Sequence, residues 1–143
     1  MIKTIQGKVK EIIFECCERY AIKRNMDIEN VQLILGLNEK GNGNTYKICE
    51  EFQPKEAITF LGVLGVDIDM KGYSLIAPQF ITKSLIRFSG SYKIDLDKIK
   101  VMCVPQLENK KPDILLFVYN GSEFVEEITF TQLFRDQDLE IPT

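Results

Sequence analysis

Histidine is absent from all 143 residues. That excludes serine–histidine–aspartate and cysteine–histidine nucleophile pairs, imidazole acid–base work, HExxH zinc sites and the histidine–cysteine–cysteine deaminase centre. Paired cysteine spacing is missing too: Cys16, Cys17, Cys49 and Cys103 form no CxxC or CxxH. Cys16 and Cys17 are neighbours on an expected helix, where side chains diverge by about 100° and a bond between them would be strained. The four thiols therefore read as small apolar groups in a reducing compartment. Gly-x-Gly-x-x-Gly, Walker and kinase patterns are lacking, and no GK[ST] follows Gly41-Asn42-Gly43, whose glycines serve a turn. No run approaches the roughly 18 apolar residues of a membrane span. Ile12-Ile13-Phe14, flanked by Glu11 and Glu15, is too short for a signal sequence. The expected setting is cytoplasmic, or a particle assembled inside the cell. An excess of Lys and Arg is also missing, since the net charge is −3. Nucleic acid and anionic membranes are accordingly not the expected partners.

With 45% apolar and 27% charged residues, the chain has the composition of one globular domain over residues 1–143. Its charge is unevenly spread: residues 71–111 carry 8 basic and 3 acidic side chains, residues 112–143 carry 1 and 7. Internal pairing or a patch for a partner both follow from such blocks.

Residues 114–119 are apolar without a break, as in a strand with both faces away from water. Asn120-Gly121 then predicts a two-residue type I′ hairpin with residues 122–130. In that register Leu115, Phe117, Tyr119, Phe124, Ile128 and Phe130 share the main core face, with Glu126 among them opposite Leu115. Ile114, Leu116, Val118 and Val125 form a second apolar stripe, rimmed by Glu123 and Glu127, that needs a cover.

Residues 3–24 read as an amphipathic helix with Ile5, Val9, Ile12, Ile13, Cys16 and Tyr20 on one side; Phe14 falls opposite and is expected to be exposed. Residues 31–37 and 45–52 alternate as a hairpin. Pro54 is expected to open a helix over 54–64, residues 66–70 and 73–77 a short hairpin, and Pro78 a further helix stopped by Ser89-Gly90, with Lys83 and Arg87 outward. Hairpin, proline and helix thus occur twice. Residues 98–104 read as a strand ended by Pro105, and 107–112 as a polar connection. The fold class is α+β: an antiparallel sheet of five or more strands, with the N-terminal helix and two further helices packed on it. The element order, α-ββ-α-(ββ)-α-βββ, is similar to that of PAS-like and profilin-like domains as a topology analogy only.

Carboxylate chemistry finds little support. Asp67-Ile68-Asp69 begins like an EF-hand loop, but Lys71 and Pro78 occupy ligand positions. Asp113 followed by Glu126 or Glu127 is similar to the acidic hairpin of restriction-type nucleases, yet the lysine expected two residues on is Ile128 or Thr129. Glu126 is either a buried acid or turned outward by a β-bulge at Glu126-Glu127. No catalytic, metal-binding or cofactor-binding residue is assigned, no cofactor is called for, and the reading leans away from an enzyme.

The leading expectation is a non-catalytic protein–protein interaction or assembly module. It would be a component of a larger complex, such as a viral one, or an inhibitor or immunity-type protein, that contacts another protein or itself through Phe14, Ile114, Leu116, Val118 and Val125. The alternative is a small-ligand-binding or sensory PAS-like domain with a pocket near Phe60, Phe80, Phe88, Phe117 and Tyr119 and the acid Glu126. A carboxylate- or metal-dependent enzyme ranks third.

Overall fold

The computed structural model describes residues 4–38, 40, 43–59 and 73–135. Helix α1 (Ile5–Arg24) starts where the Thr4 hydroxyl accepts the Gly7 N–H at 3.0 Å, and ends at Asn25, whose left-handed conformation releases the chain. A 3-10 turn (Ile28–Asn30) leads into strands β1 (Val31–Leu37), β2 (Asn44–Glu50) and β3 (Gln53–Ile58). Helix α2 (Tyr73–Tyr92) follows, then strands β4 (Ile99–Glu108), β5 (Lys111–Asn120) and β6 (Glu123–Ile128), and the short helix α3 (Phe130–Phe134). The α+β class holds; among the described residues there are six strands in the order β3-β2-β1-β4-β5-β6, every neighbour antiparallel. The described residues thus give a helix and a three-stranded meander twice, joined along β1 and β4, with α3 after the second. The PAS-like analogy is loose, because the first strand of the last meander, not the last, lies beside β1.

Several elements differ from expectation. Residues 53–58 form a strand rather than a helix. The tight turn at Glu51-Phe52, with φ of 49° and 68°, folds them back on β2. Its two N–H groups are taken by the Asn30 carbonyl and the Gln32 side chain, each at 2.7 Å. Pro54 is tolerated because β3 is an edge strand and its partner shifts register between Ile48 and Cys49. The expected second strand at 73–77 is the start of α2, so Pro78 lies inside that helix. The Pro78 carbonyl accepts from both the Asn44 amide and the Thr82 hydroxyl. Helix α2 runs past Ser89-Gly90 to Lys93, left-handed at φ 56°. Residues 60–72, with the expected strand at 66–70, Phe60, Asp67 and Asp69, lie outside the described residues, as do Gly41 and Asn42.

Strand β4 continues through Pro105 to Glu108, because its ladder with β1 stops at Leu33 and Cys103, leaving the missing N–H without a bond to lose. The connection expected at 107–112 shrinks to a two-residue turn, Asn109-Lys110, both at positive φ. The Asn-Gly turn moves on by one residue. Asn120 remains in β5 opposite Ile99, the Gly121 N–H donates to the Lys98 carbonyl at 2.8 Å, and Gly121-Ser122 forms the loop. Positive φ at Gly121 alone is the type II′ pattern. A register shift after Val118 then leaves Val125 as the bulged residue, so the bulge falls one position before Glu126-Glu127.

One core joins the helices to one face of the sheet. Leu33, Leu35, Ile48, Val101, Cys103, Leu116 and Val118 pack with Val9, Ile12 and Ile13 of α1, Ile81 and Leu85 of α2, and Leu133 and Phe134 of α3. Phe14 is a correction: it is only 7% exposed and belongs to this core, because the flank of α1 meets the start of β5 at Pro112 and Ile114. Arg87 is another, reaching from α2 to the Gln132 and Leu133 carbonyls at the end of α3. Among the described residues no helix is long and apolar enough to cross a membrane.

Candidate interaction surface

Alternation along the strands assigns every second residue to the face away from that core. Two rows cross it: Ile34, Met102, Phe117 and Glu127 are successive partners from β1 to β6, and so are Gly36, Lys100, Tyr119 and Phe124. Val104 and Leu115 add an apolar pair beside the first row. Phe124 stacks edge-on against Tyr119 at 5.7 Å and tilts against Phe117 at 6.1 Å. Met102, Val104 and Cys49 are buried, yet none of them belongs to the helix-side core. Phe124 keeps 53% of its surface exposed. Beyond β1, on β2, Lys47 follows Ile34 across the first row. At Gly36, which has no side chain, there is a dimple of about 80 Å3 bordered by Ile34, Thr45, Lys47, Pro54, Asp97 and Lys100, with the Thr45 hydroxyl 3.0 Å from where a Cβ would lie.

The two faces of β5 are therefore the reverse of the sequence expectation. Ile114, Leu116 and Val118, the stripe expected to need a partner, are at most 3% exposed beneath the helices. Leu115, Phe117 and Tyr119, expected in the main core, are half-buried on the other face. A strand apolar at both parities carries no signal for which face is covered; its neighbours decide, and Val101 and Cys103 of β4 face the helices opposite Val118 and Leu116. Val125, expected in the same stripe as Ile114, Leu116 and Val118, is instead exposed as the bulge residue. Glu126 pairs with Val118 rather than Leu115 and is exposed at the rim of the helix side, where it accepts a hydrogen bond from the Tyr92 hydroxyl. That bond to a carboxylate, with some burial, raises the Tyr92 pKa.

The rings proposed for a ligand pocket do not converge. Phe88 is buried in the helix-side core, whereas Phe117 and Tyr119 line the opposite face. Open hollows of about 430 and 410 Å3 do exist, on either side of the Lys10–Asp113 ion pair (2.6 Å). The hydrogen bond from Lys10 holds the Asp113 carboxyl below its usual range. Asp113 and Glu126 are separated by about 17 Å of strand, so they share no cleft. Among the described residues no group of three or more acids, cysteines or histidines is placed to hold a metal. All four thiols are buried and unpaired; burial pushes Cys16 up to about 12 and Cys49 up to about 11, which keeps them neutral.

Sequence reasoning missed Gly36, Lys47 and Lys100 as parts of this face. The signal was available in the alternation of residues 31–37 and 45–52, whose even and odd positions could have been assigned to two faces rather than one. Against known family models, curated proteins and solved structures, the chain finds no match.

Proposed function

We propose that this protein is a non-catalytic protein–protein interaction or assembly module that works through the face of its sheet turned away from the helices. One observation carries the reading: Phe117, Tyr119 and Phe124 form a ring cluster on that face, Phe124 is half exposed, and the described helices all pack on the other side. Contiguous apolar surface of this kind, rimmed by charge, marks interaction sites, and aromatic rings supply much of the binding energy at them. The edges of the sheet are poor alternatives. Strand β3 carries Pro54, Lys55 and Glu56, and β6 carries three glutamates and a bulge, devices that oppose strand addition. Four buried thiols suit a cytoplasmic setting or a particle assembled there.

Hydroxyl-radical footprinting tests this reading. In the isolated chain at low concentration Phe117, Tyr119 and Phe124 are expected to be oxidised readily, and in the assembled state they are expected to be protected. Equal protection in the isolated monomer would overturn it.

A further inference from the structure

The occupant of this face follows from its charge pattern. We propose that it is a second copy of this chain, packed face to face about a two-fold axis that runs along the strands over the gap between β4 and β5. This rests on the reading of the face as an interaction surface.

The apolar area spans β1, β4, β5 and β6, so its centre lies between β4 and β5. An axis there exchanges β6 of one copy with β1 of the other and keeps each row level with itself. Phe124 then comes down over the partner's Gly36, the one position in its row without a side chain, and the ring lies over the dimple beside Thr45 and Asp97. Met102 meets Phe117. Glu127 lands over Ile34, beside Lys47 in the same row and Lys100 on the diagonal. All three charged groups are exposed and form no ion pair among the described residues. Toward β2 the face carries Lys47 and Lys100, with Asp97 at its margin, and toward β6 it carries Glu127, so the lysines meet Glu127 only when one copy is reversed across the strands, and this axis reverses it. Two-fold symmetry makes each contact occur twice. Sheets stacked in this manner keep their strands within about 30° of each other.

Size sets the strength. Four strands about 4.8 Å apart and about 20 Å long give a footprint of roughly 400 Å2 per copy, about half that of a standard specific pair. The dimer is accordingly reversible and weaker than about micromolar.

Sedimentation over a concentration series reaching several hundred micromolar reads the mass, with three variants. Phe124→Ser is expected to weaken association at least about tenfold. Glu127→Lys alone and Lys47→Glu with Lys100→Glu are each expected to be monomeric, because each places like charges together. Their equimolar mixture is expected to dimerise, since every contact in the mixed pair is again between opposite charges. Charge variants that associate as the parent does, or a mixture that stays monomeric, would overturn this pairing. A parent that is monomeric throughout would also overturn it; footprinting of that monomer then separates the two readings. Reactive Phe117, Tyr119 and Phe124 would leave the interaction surface standing without a second copy, whereas protected rings would remove both.

Discussion

Leu116 has no exposed surface, whereas Phe124 on the adjacent strand keeps 53% of its own. Truncation should separate them: Leu116→Ala is expected to cost about 2–5 kcal/mol, and Phe124→Ser in the monomer about 0.5 kcal/mol, both read by urea unfolding. The two φ-positive turns give a second residue-scale test. Asn109 and Lys110 sit at φ 50° and 64°, a conformation that costs a residue with a Cβ about 1 kcal/mol. Lys110→Gly creates the Asn-Gly pair that type I′ turns favour and should raise stability by up to about 1 kcal/mol. Asp113 supplies a pH dependence. Its folded pKa lies below the unfolded value, so its contribution is complete above the usual carboxylate range and is lost as pH falls toward the folded value. Both Lys10 and Asp113 are at least about a third exposed, which limits the effect to under about 1 kcal/mol. Lys10→Met should remove that part of the acid limb in a stability–pH profile while leaving stability near neutrality within about 1 kcal/mol. At this scale the sequence was least legible: Phe14 was misplaced and Glu126 was left between a buried and an outward position, because a helix flank and a bulge depend on chain segments far away in sequence.

Among the elements, α3 depends most on a single side chain from elsewhere. Its start is encoded locally by a capping box, with the Thr129 hydroxyl accepting from the Gln132 N–H and the Gln132 side chain accepting from the Thr129 N–H. That T-x-x-Q pattern was readable in the chain and went unread. Its end is not local, since Arg87 of α2 donates to the last carbonyls. Arg87→Met should cost about 1–3 kcal/mol and speed hydrogen exchange at Leu133 and Phe134 before the sheet amides respond. Strand β1 was legible to the residue, and α1 to within two, because period and caps agree there. Residues 53–58 were not, since Pro54, Glu56 and Ala57 suit a helix start equally well and only the turn held by Asn30 and Gln32 makes them a strand.

For the whole molecule, the class and the single-sheet architecture were readable from the alternation of elements, but the strand order was not. The sequence divides into similar-sounding pieces, and nothing local says that β1 meets β4. The core also accounts for the thiols: Cys16, Cys17, Cys49 and Cys103 should resist alkylation at pH 8 in the native protein and react together on unfolding, which iodoacetamide mass labelling would show. The join between the two meanders has a consequence for how the chain reaches this state. Within each meander, tight turns bring partners together across a few residues, and such hairpins close in microseconds. The β1–β4 join consists of four pairs, from Leu33 with Cys103 to Gly36 with Lys100, whose members are far apart along the chain. Closing so long a loop costs about 4 kcal/mol of chain entropy before any of its contacts form. Folding should therefore wait on this narrow join, and Leu35→Ala or Val101→Ala should slow refolding more than they speed unfolding, whereas changes at the outer strands should do the reverse.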